Sequence, residues 1–164
     1  MNRLAKHSTH VTTLTRAFDL SEGDVVEIGT GHFSTTLLHW LGAITGRRIT
    51  SYETDVKWFQ RAKRYQCEYH DIILVENWDD IPLESQHWGL AFIDHSPHAR
   101  RSIETKRLKD IADFIVIHDT EPRSEKLYGY PDIYSLFTYR YDSKKVEPWT
   151  TVLSNKFSLE KFES

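Results

Sequence analysis

Short apolar runs alternate along the chain with longer stretches in which apolar residues recur every three or four positions. Five of the runs are too short for a helix and predict buried strands: residues 24–28, 47–53, 71–75, 88–94 and 113–119. The longer stretches between them predict amphipathic helices, each with one apolar face. This order of elements is typical of a parallel sheet whose connecting helices cover both of its faces.

Residues that favour helix ends lie at the boundaries of these stretches. Ser34 or Thr35 is positioned to cap the helix that follows the first strand, and Gly46 is positioned to end it. Thr54 or Asp55 is positioned in the same way before the next helix. These boundaries support the alternation of strands and helices.

The last third of the chain has a different pattern. Around the turn-forming sequence DSKK, residues 137–155 alternate aromatic or β-branched side chains with polar ones, which predicts an antiparallel hairpin. The stretches 76–87 and 120–131 are too short or too broken to predict full helices. The predicted fold class is therefore α/β. We expect a Rossmann-like, doubly wound, mostly parallel sheet with a C-terminal antiparallel hairpin, formed by residues 1–164 as a single domain.

The composition limits the cellular compartments and the partners that we expect for this domain. Cys67 is the only cysteine, which rules out an intramolecular disulfide and favours a reducing compartment. No apolar run approaches the roughly 20 residues of a membrane span, and the first ten residues are too polar for a signal peptide. We therefore expect a cytoplasmic protein without membrane contact. The sequence leaves its oligomeric state open.

The charge balance disfavours nucleic acid as a partner. The net charge is −3, the opposite of what a general nucleic-acid binder needs. The basic stretch at 99–109 could contact phosphate, but such a run is more often a solvated helix face, here with Glu104 as an ion-pair partner.

The sequence EIGTG, at the end of the first predicted strand, carries the clearest functional signal. Gly29 and Gly31 can take backbone conformations closed to other residues and let a ligand approach the backbone closely. In a doubly wound sheet this turn lies at the ligand-binding edge, where amides at the start of the next helix favour an anionic group. Glu53 ends the second predicted strand, about 20 residues further on, where an acidic side chain accepts hydrogen bonds from a ribose. Alternatively, Glu53 only begins the turn before the next helix.

Glu27, Gly29 and Gly31, followed by Glu53, resemble the first two motifs of the class I S-adenosylmethionine-dependent methyltransferases. Nicotinamide dehydrogenases fit less well, because their motif needs a third glycine that this chain lacks. The resemblance implies S-adenosylmethionine as cofactor, with Glu27 near its methionine amino group and Glu53 at its ribose. Ser34, at the start of the following helix, is expected to face an anionic group of the cofactor.

The same resemblance assigns residues after the third and fourth strands. Asn77 or Trp78 would lie against the adenine, where an indole face suits stacking on a purine. The alternative for Trp78 is an ordinary core or surface aromatic. Asp94, at the end of the fourth strand, would lie beside the cofactor and the transferred methyl group.

Four polar residues are expected to meet at the edge where the fourth and fifth strands end: Asp94, His95, His118 and Asp119. A histidine there could take a proton from the acceptor, although each could instead only bond backbone or cap a helix. We predict methyl transfer to an oxygen or nitrogen of a small-molecule acceptor. Two alternatives stay open: a nucleotide-binding module without catalysis, and an enzyme that uses the cofactor for other chemistry.

A divalent metal is a further expectation at this edge. Asp94 and Asp119 are similar to the carboxylates with which the magnesium-dependent O-methyltransferases hold Mg²⁺, whose preferred ligands are oxygens. Thr120 departs from that family, which has Asn at this position, and so weakens one ligand. His95 and His98 could instead suggest zinc, but two histidines without a clear third ligand are a weak signal.

Overall fold

The structure is a computed structural model and describes residues 5–163. Seven strands form one sheet in the order β3-β2-β1-β4-β5-β7-β6. The strands are β1 (Val25–Ile28), β2 (Ile49–Glu53), β3 (His70–Leu74), β4 (Trp88–Ile93), β5 (Ala112–His118), β6 (Tyr139–Ser143) and β7 (Thr150–Ser154). The first five are parallel to one another, and β7 pairs antiparallel with both β5 and β6. The predicted α/β fold with its C-terminal hairpin is therefore confirmed.

In the described part of the chain, six α-helices connect and cover the strands. They are α1 (Val11–Leu20), α2 (Ser34–Thr45), α3 (Val56–Ala62), α4 (Arg101–Leu108), α5 (Pro122–Tyr128) and α6 (Pro131–Tyr134). Short 3-10 turns cover Ala5–Ser8, Lys63–Tyr65, Trp78–Asp80, Leu83–Ser85, His98–Arg100 and Glu160–Phe162. Within residues 5–163, no helix is long and apolar enough to cross a membrane.

Helix boundaries follow local chemistry, with one correction. Asp55 caps α3 as predicted, because its carboxylate accepts hydrogen bonds from two backbone amides, and Gly46 ends α2 in the left-handed conformation at φ 73°. The prediction that Ser34 or Thr35 caps α2 is wrong. Helix α2 begins at Ser34 itself, and the Thr35 hydroxyl donates to the buried carboxyl of Glu27 instead.

Apolar side chains fill both faces of the sheet. Strands β4 and β5 are buried along their whole length, which explains why their sequences are continuous apolar runs. On one face they pack with residues of α4 and α6, and on the other with α1 and α2. The order of the strands reverses between β1 and β4, so the carboxyl ends of β1, β2, β4 and β5 open onto one shared edge.

Candidate functional site

In the turn that follows β1, the two glycine positions have no room for a side chain. Gly29 has φ +92°, and a Cβ atom there would lie 2.6 Å from the Cα of His95. A Cβ on Gly31 would lie 2.7 Å from the Ser34 hydroxyl. Both the backbone conformation and the lack of space therefore require glycine at Gly29. The absence of a side chain lets the backbone of the turn pack directly against the residues after β4.

The carboxylate of Glu53 lies against this turn at the end of β2. Its Oε2 accepts from the backbone amide and the hydroxyl of Thr30, each at 2.9 Å. Its Oε1 accepts from the amides of Thr54 and Asp55 at 2.8 and 2.9 Å. These four bonds use the acceptor capacity of a carboxylate. A ribose hydroxyl would therefore have to replace one of them, and the Thr30 hydroxyl is the one that a side-chain rotation can release.

Glu27 lies beneath the turn and is fully buried. It accepts hydrogen bonds from the hydroxyl of Thr35 and, at 2.6 Å, from that of Ser51. The same Thr35 oxygen accepts from the amide of Gly31 at 2.9 Å, so Glu27 holds the turn through Thr35. Burial raises the pKa of Glu27 to about 7, although the hydroxyl donors oppose this rise.

A row of polar side chains, which sequence reasoning missed, leads from Glu27 toward α2. The Ser51 hydroxyl lies 2.9 Å from Nε2 of His70, and Nδ1 of His70 lies 3.3 Å from Nδ1 of His39. The hydroxyl of Tyr69 lies 3.2 Å from Nε2 of His39. Burial lowers the pKa of His70 to about 4, so its ring is neutral. Because Ser51 donates to Glu27, its oxygen accepts from His70.

The two residues expected at the adenine lie in different environments. Trp78 is only 3% exposed, its ring packs 4.5 Å from that of His95, and its Nε1 donates to the carbonyl of Ser96. This placement leaves the indole no open face for a purine. Asn77 is exposed, and its side chain accepts from the amide of Asp79 at 3.1 Å. Asn77 is therefore the one of the pair that a ligand can reach.

Arg101 ties the ends of β4 and β5 together. Its guanidinium is 1% exposed and lies 2.8 Å from Asp94 Oδ1 and 3.0 Å from Asp119 Oδ2. It also donates to the carbonyls of His95 and His118, both at 2.9 Å. The sequence places this arginine in a basic run that is typical of a solvated face, and only the fold shows that it is buried.

This arrangement does not fit a magnesium ion between Asp94 and Asp119. The Arg101 guanidinium lies between the two carboxylates and supplies the positive charge that the ion would bring. The next residue, Thr120, is buried, and its hydroxyl accepts from that of Thr151 at 2.9 Å. The zinc alternative at His95 and His98 also finds no support, because these two rings contact different partners.

Asp94 also contacts His118, which lies in the interior. Nδ1 of His118 is 3.2 Å from Asp94 Oδ2, and its Nε2 is 2.9 Å from the hydroxyl of Thr9. Burial would lower the pKa of His118, but the carboxylates of Asp94 and Asp119 outweigh burial and raise it. Burial would likewise raise the pKa of Asp94, but His118 and Arg101 hold it below its ordinary value.

The four predicted catalytic residues differ in their exposure and in their position. Asp94 and Asp119 each keep 23% of the side chain exposed at the edge, and Asp119 has a left-handed backbone at φ 58°. His118 and His95 are buried. The ring of His95 points away from the edge, with Nε2 3.0 Å from Glu104 Oε2, and burial lowers its pKa. The structure therefore brings Asp94, His118 and Asp119 together and separates His95 from them.

Exposed basic residues cluster on α3 and the 3-10 turn after it, whereas α4 has one exposed cation, Lys106. In α4 and the turn before it, Arg100 binds Asp79 and Glu104, Arg107 binds Glu84, and Arg101 is buried. The α3 basic face consists of Lys57 and Arg61 on the helix and Lys63 and Arg64 on the turn after it, all four exposed.

Aromatic rings accompany the α3 basic face. The Arg61 guanidinium lies 5.0 Å from the ring of Trp58, and that of Arg64 lies 5.8 Å from the ring of Tyr65. Together with the glycine turn, these side chains line a small cleft. Positive charge and aromatic rings therefore adjoin the turn directly.

The sequence matches no protein-family model, and no curated protein has a significantly similar sequence. Solved structures do resemble the fold. The N-terminal domain of human METTL16 in complex with SAH superposes with a TM-score of 0.65 at 12% identity, covering 96% of this chain and 73% of that chain. A methyltransferase from Pyrococcus furiosus superposes at 0.62 with 14% identity, covering 91% and 84%.

A third similar structure bears on our expectation about nucleic acid as a partner. The hMettl16 catalytic domain in complex with MAT2A 3′UTR hairpin 1 superposes at a TM-score of 0.61 with 12% identity, covering 98% of this chain and 72% of that chain. Our expectation that nucleic acid is disfavoured is therefore wrong, because the same fold is found bound to an RNA hairpin. The net charge of −3 averages over the whole chain and conceals the α3 basic face. Strand order, hairpin and these superpositions agree: the chain has the fold of the class I S-adenosylmethionine-dependent methyltransferases.

Proposed function

We propose that this protein is an S-adenosylmethionine-dependent methyltransferase. The observation that carries the proposal is the glycine turn at the end of β1, which lies between the carboxyl groups of Glu27 and Glu53. Its position at the reversal of strand order is where such sheets bind nucleotide ligands. The neighbour in complex with SAH supports the same cofactor.

Residues around the turn divide the work of holding the cofactor. Glu53 would hold the ribose after Thr30 releases Oε2, and Asn77 would contact the adenine. The amides at Ser34 begin the twelve-residue helix α2, whose dipole favours an anionic group at this end. Glu27 acts from below by fixing the turn through Thr35. When bound, S-adenosylmethionine supplies an electrophilic methyl group.

The acceptor lies over the ends of β4 and β5, where Asp94 and Asp119 are the groups within reach. Asp94 accepts a hydrogen bond from the N–H or O–H of the acceptor and so orients its lone pair. Arg101 and His118 position Asp94 through both of its oxygens. Because its pKa is low, Asp94 orients the acceptor without keeping its proton, which passes to solvent at this partly exposed edge as the methyl group is transferred. Positioning of this kind can supply much of the rate. His95, in the interior, has no part in this step.

The acceptor class that we propose is RNA. The α3 basic face, with Trp58 and Tyr65 beside it, has the combination of cations and stacking rings by which proteins hold single strands. It adjoins the glycine turn, so a strand that follows it reaches the same edge as the cofactor. The RNA complex of the hMettl16 catalytic domain supports this choice. A small-molecule acceptor is the other outcome of the test.

The test is transfer of labelled methyl from S-adenosylmethionine into total RNA or into a deproteinised metabolite extract. We expect label in RNA, and at least a tenfold lower rate for Asp94→Asn but not for Asp110→Asn, a change at an exposed carboxylate outside the site. Label in the metabolite fraction alone would show that the acceptor is a small molecule and not RNA, and it would leave the proposal of methyl transfer intact. Cofactor binding without turnover would favour a binding module, and a product other than S-adenosylhomocysteine would favour different chemistry.

A further inference from the structure

Three buried or half-buried side chains from distant parts of the chain converge behind the edge. His10 precedes α1, Asp94 follows β4, and His118 ends β5. One ligand atom from each lies within 4.8 Å of the other two. The distance of 3.2 Å between His118 Nδ1 and Asp94 Oδ2 is close to the separation of two ligands on one tetrahedral ion with bonds near 2 Å.

His10 provides an independent observation. Its ring is 2% exposed and packs between those of Phe92 at 4.9 Å and His118 at 4.7 Å. Neither of its ring nitrogens has a hydrogen-bond partner among residues 5–163. An imidazole buried without any partner is costly, because the ring gives up its bonds to water and receives nothing in exchange. A bound ion would satisfy it.

The surroundings already have the form of an outer coordination shell. Nε2 of His118 lies 2.9 Å from the hydroxyl of Thr9, which itself donates to the carbonyl of Pro148 at 2.7 Å. Since that hydroxyl proton is used, its oxygen accepts from Nε2–H. An ion that displaces the proton from Nδ1 would therefore meet the Nδ1 lone pair on the side of Asp94. Arg101 holds the other oxygen of Asp94 at 2.8 Å. Histidine and carboxylate ligands in metalloproteins are held by such contacts.

We propose that His10, Asp94 and His118 form a binding site for a divalent transition-metal ion such as Zn²⁺. Two imidazoles and one carboxylate suit zinc and its neighbours in the first row rather than Mg²⁺, which prefers oxygen ligands. Three protein ligands leave a fourth position open, as in catalytic zinc sites. The ion reaches the site past Asp94, which is the partly exposed member of the three. This site is distinct from the magnesium site expected between Asp94 and Asp119, because it uses Oδ2 of Asp94 and avoids Arg101.

The test uses the full chain after dialysis against a chelator, with Zn²⁺ and Co²⁺ as probes. We expect one high-affinity zinc site by calorimetry and, with Co²⁺, the visible absorption of a low-coordinate complex that Zn²⁺ displaces and Mg²⁺ does not. His10→Gln should weaken zinc binding at least roughly a hundredfold, and Thr9→Val, which removes only the outer contact, roughly tenfold to a hundredfold.

His87→Gln is the matched control, because His87 pairs with Asp113 at 2.8 Å and lies outside the three residues. It should bind zinc as the unmodified protein does. Thermal unfolding without metal checks that His10→Gln is folded, and a folded variant is expected because His10 makes no hydrogen bond among the described residues. The proposal is overturned if the unmodified protein has no zinc site in the micromolar range, or if folded His10→Gln retains the same affinity and stoichiometry.

Discussion

The hydroxyl of Thr30 occupies Oε2 of Glu53 at 2.9 Å, the atom that the proposed function requires at the ribose. Thr30 lies in the turn after β1, and Glu53 ends the neighbouring strand β2. Their hydrogen bond therefore holds the turn against the proposed ribose-binding carboxylate before a cofactor binds. The competition between this hydroxyl and the ribose can be measured directly.

Glu53→Ala should weaken binding of S-adenosylmethionine roughly tenfold to a hundredfold, because hydrogen bonds to a charged acceptor are worth about 1.5–3 kcal/mol. Thr30→Ala should leave affinity unchanged or raise it up to about tenfold, since it frees one lone pair of the same carboxylate. Calorimetry with both variants tests the pair. A loss of affinity in Thr30→Ala as large as that in Glu53→Ala would show that the ribose does not bind there.

Glu27 should make the stability of the protein depend on pH. Its pKa is about 7 when folded, above its ordinary value of 4.5, so the folded state holds a proton that the unfolded state releases. Its contribution is therefore fully present below about pH 4.5 and is lost as the pH rises to about 7. The difference in the free energy of unfolding is on the order of 3 kcal/mol.

Glu27→Gln should remove this part of the pH dependence, because the amide does not titrate. Chemical denaturation of both proteins between pH 5 and 8 is the measurement. Parallel stability curves for the two proteins across that range would contradict the raised pKa.

Arg101 should be the most sensitive position at the edge. Arg101→Met leaves the carboxylates of Asp94 and Asp119 without their shared cation, and breaking a buried ion pair on one side costs about 3–5 kcal/mol. The free energy of unfolding from urea titration should fall by that amount. Adding Asp119→Asn to Arg101→Met should restore part of the lost free energy of unfolding, because it removes one of the two unpaired carboxylates. A further decrease in stability would argue against Arg101 as the bridge between them.

The α3 basic face should control affinity for RNA without affecting the cofactor. The double change Arg61→Gln and Arg64→Gln should weaken RNA binding and reduce the salt dependence of the binding constant by about one unit for each phosphate that is no longer neutralised. The matched control changes Lys106 and Lys126, which are exposed on α4 and α5, to Gln. Fluorescence anisotropy over a salt series measures both the affinity for RNA and its salt dependence. Equal effects in the two double variants would exclude the α3 basic face as a specific RNA-binding surface.

The sequence predicts the fold well because its strands differ so strongly from their surroundings. Residues 88–93 and 113–118 of the predicted runs are buried on both faces, and burial on both faces leaves a continuous apolar signal. The glycine turn is equally visible, since Gly29 is there for a conformation that other residues rarely adopt.

The site is less visible because its important contacts join residues that are far apart in the chain. The burial of Arg101 depends on where β4 and β5 end, and local charge pattern indicates a solvated face instead. His10 is 108 positions before His118, and only the packing of α1 on the sheet brings their rings together. Trp78 has the right place in the chain for stacking, but the turn after β3 directs its ring into the core.

The row of hydrogen bonds from His39 through His70 and Ser51 to Glu27 has one orientation. With Ser51 donating to Glu27 and His70 neutral, the bonds from His39 to His70, from His70 to Ser51 and from Ser51 to Glu27 are all donated toward the carboxyl group. The bond dipoles therefore add, and their positive ends point at Glu27 from below the glycine turn. Such a row favours negative charge at its end and offsets part of what burial costs. Burial raises the pKa of Glu27, but the hydroxyl donors at this end, Ser51 among them, limit the rise to about 7, so the carboxyl group beneath the turn can still release its proton near neutral pH.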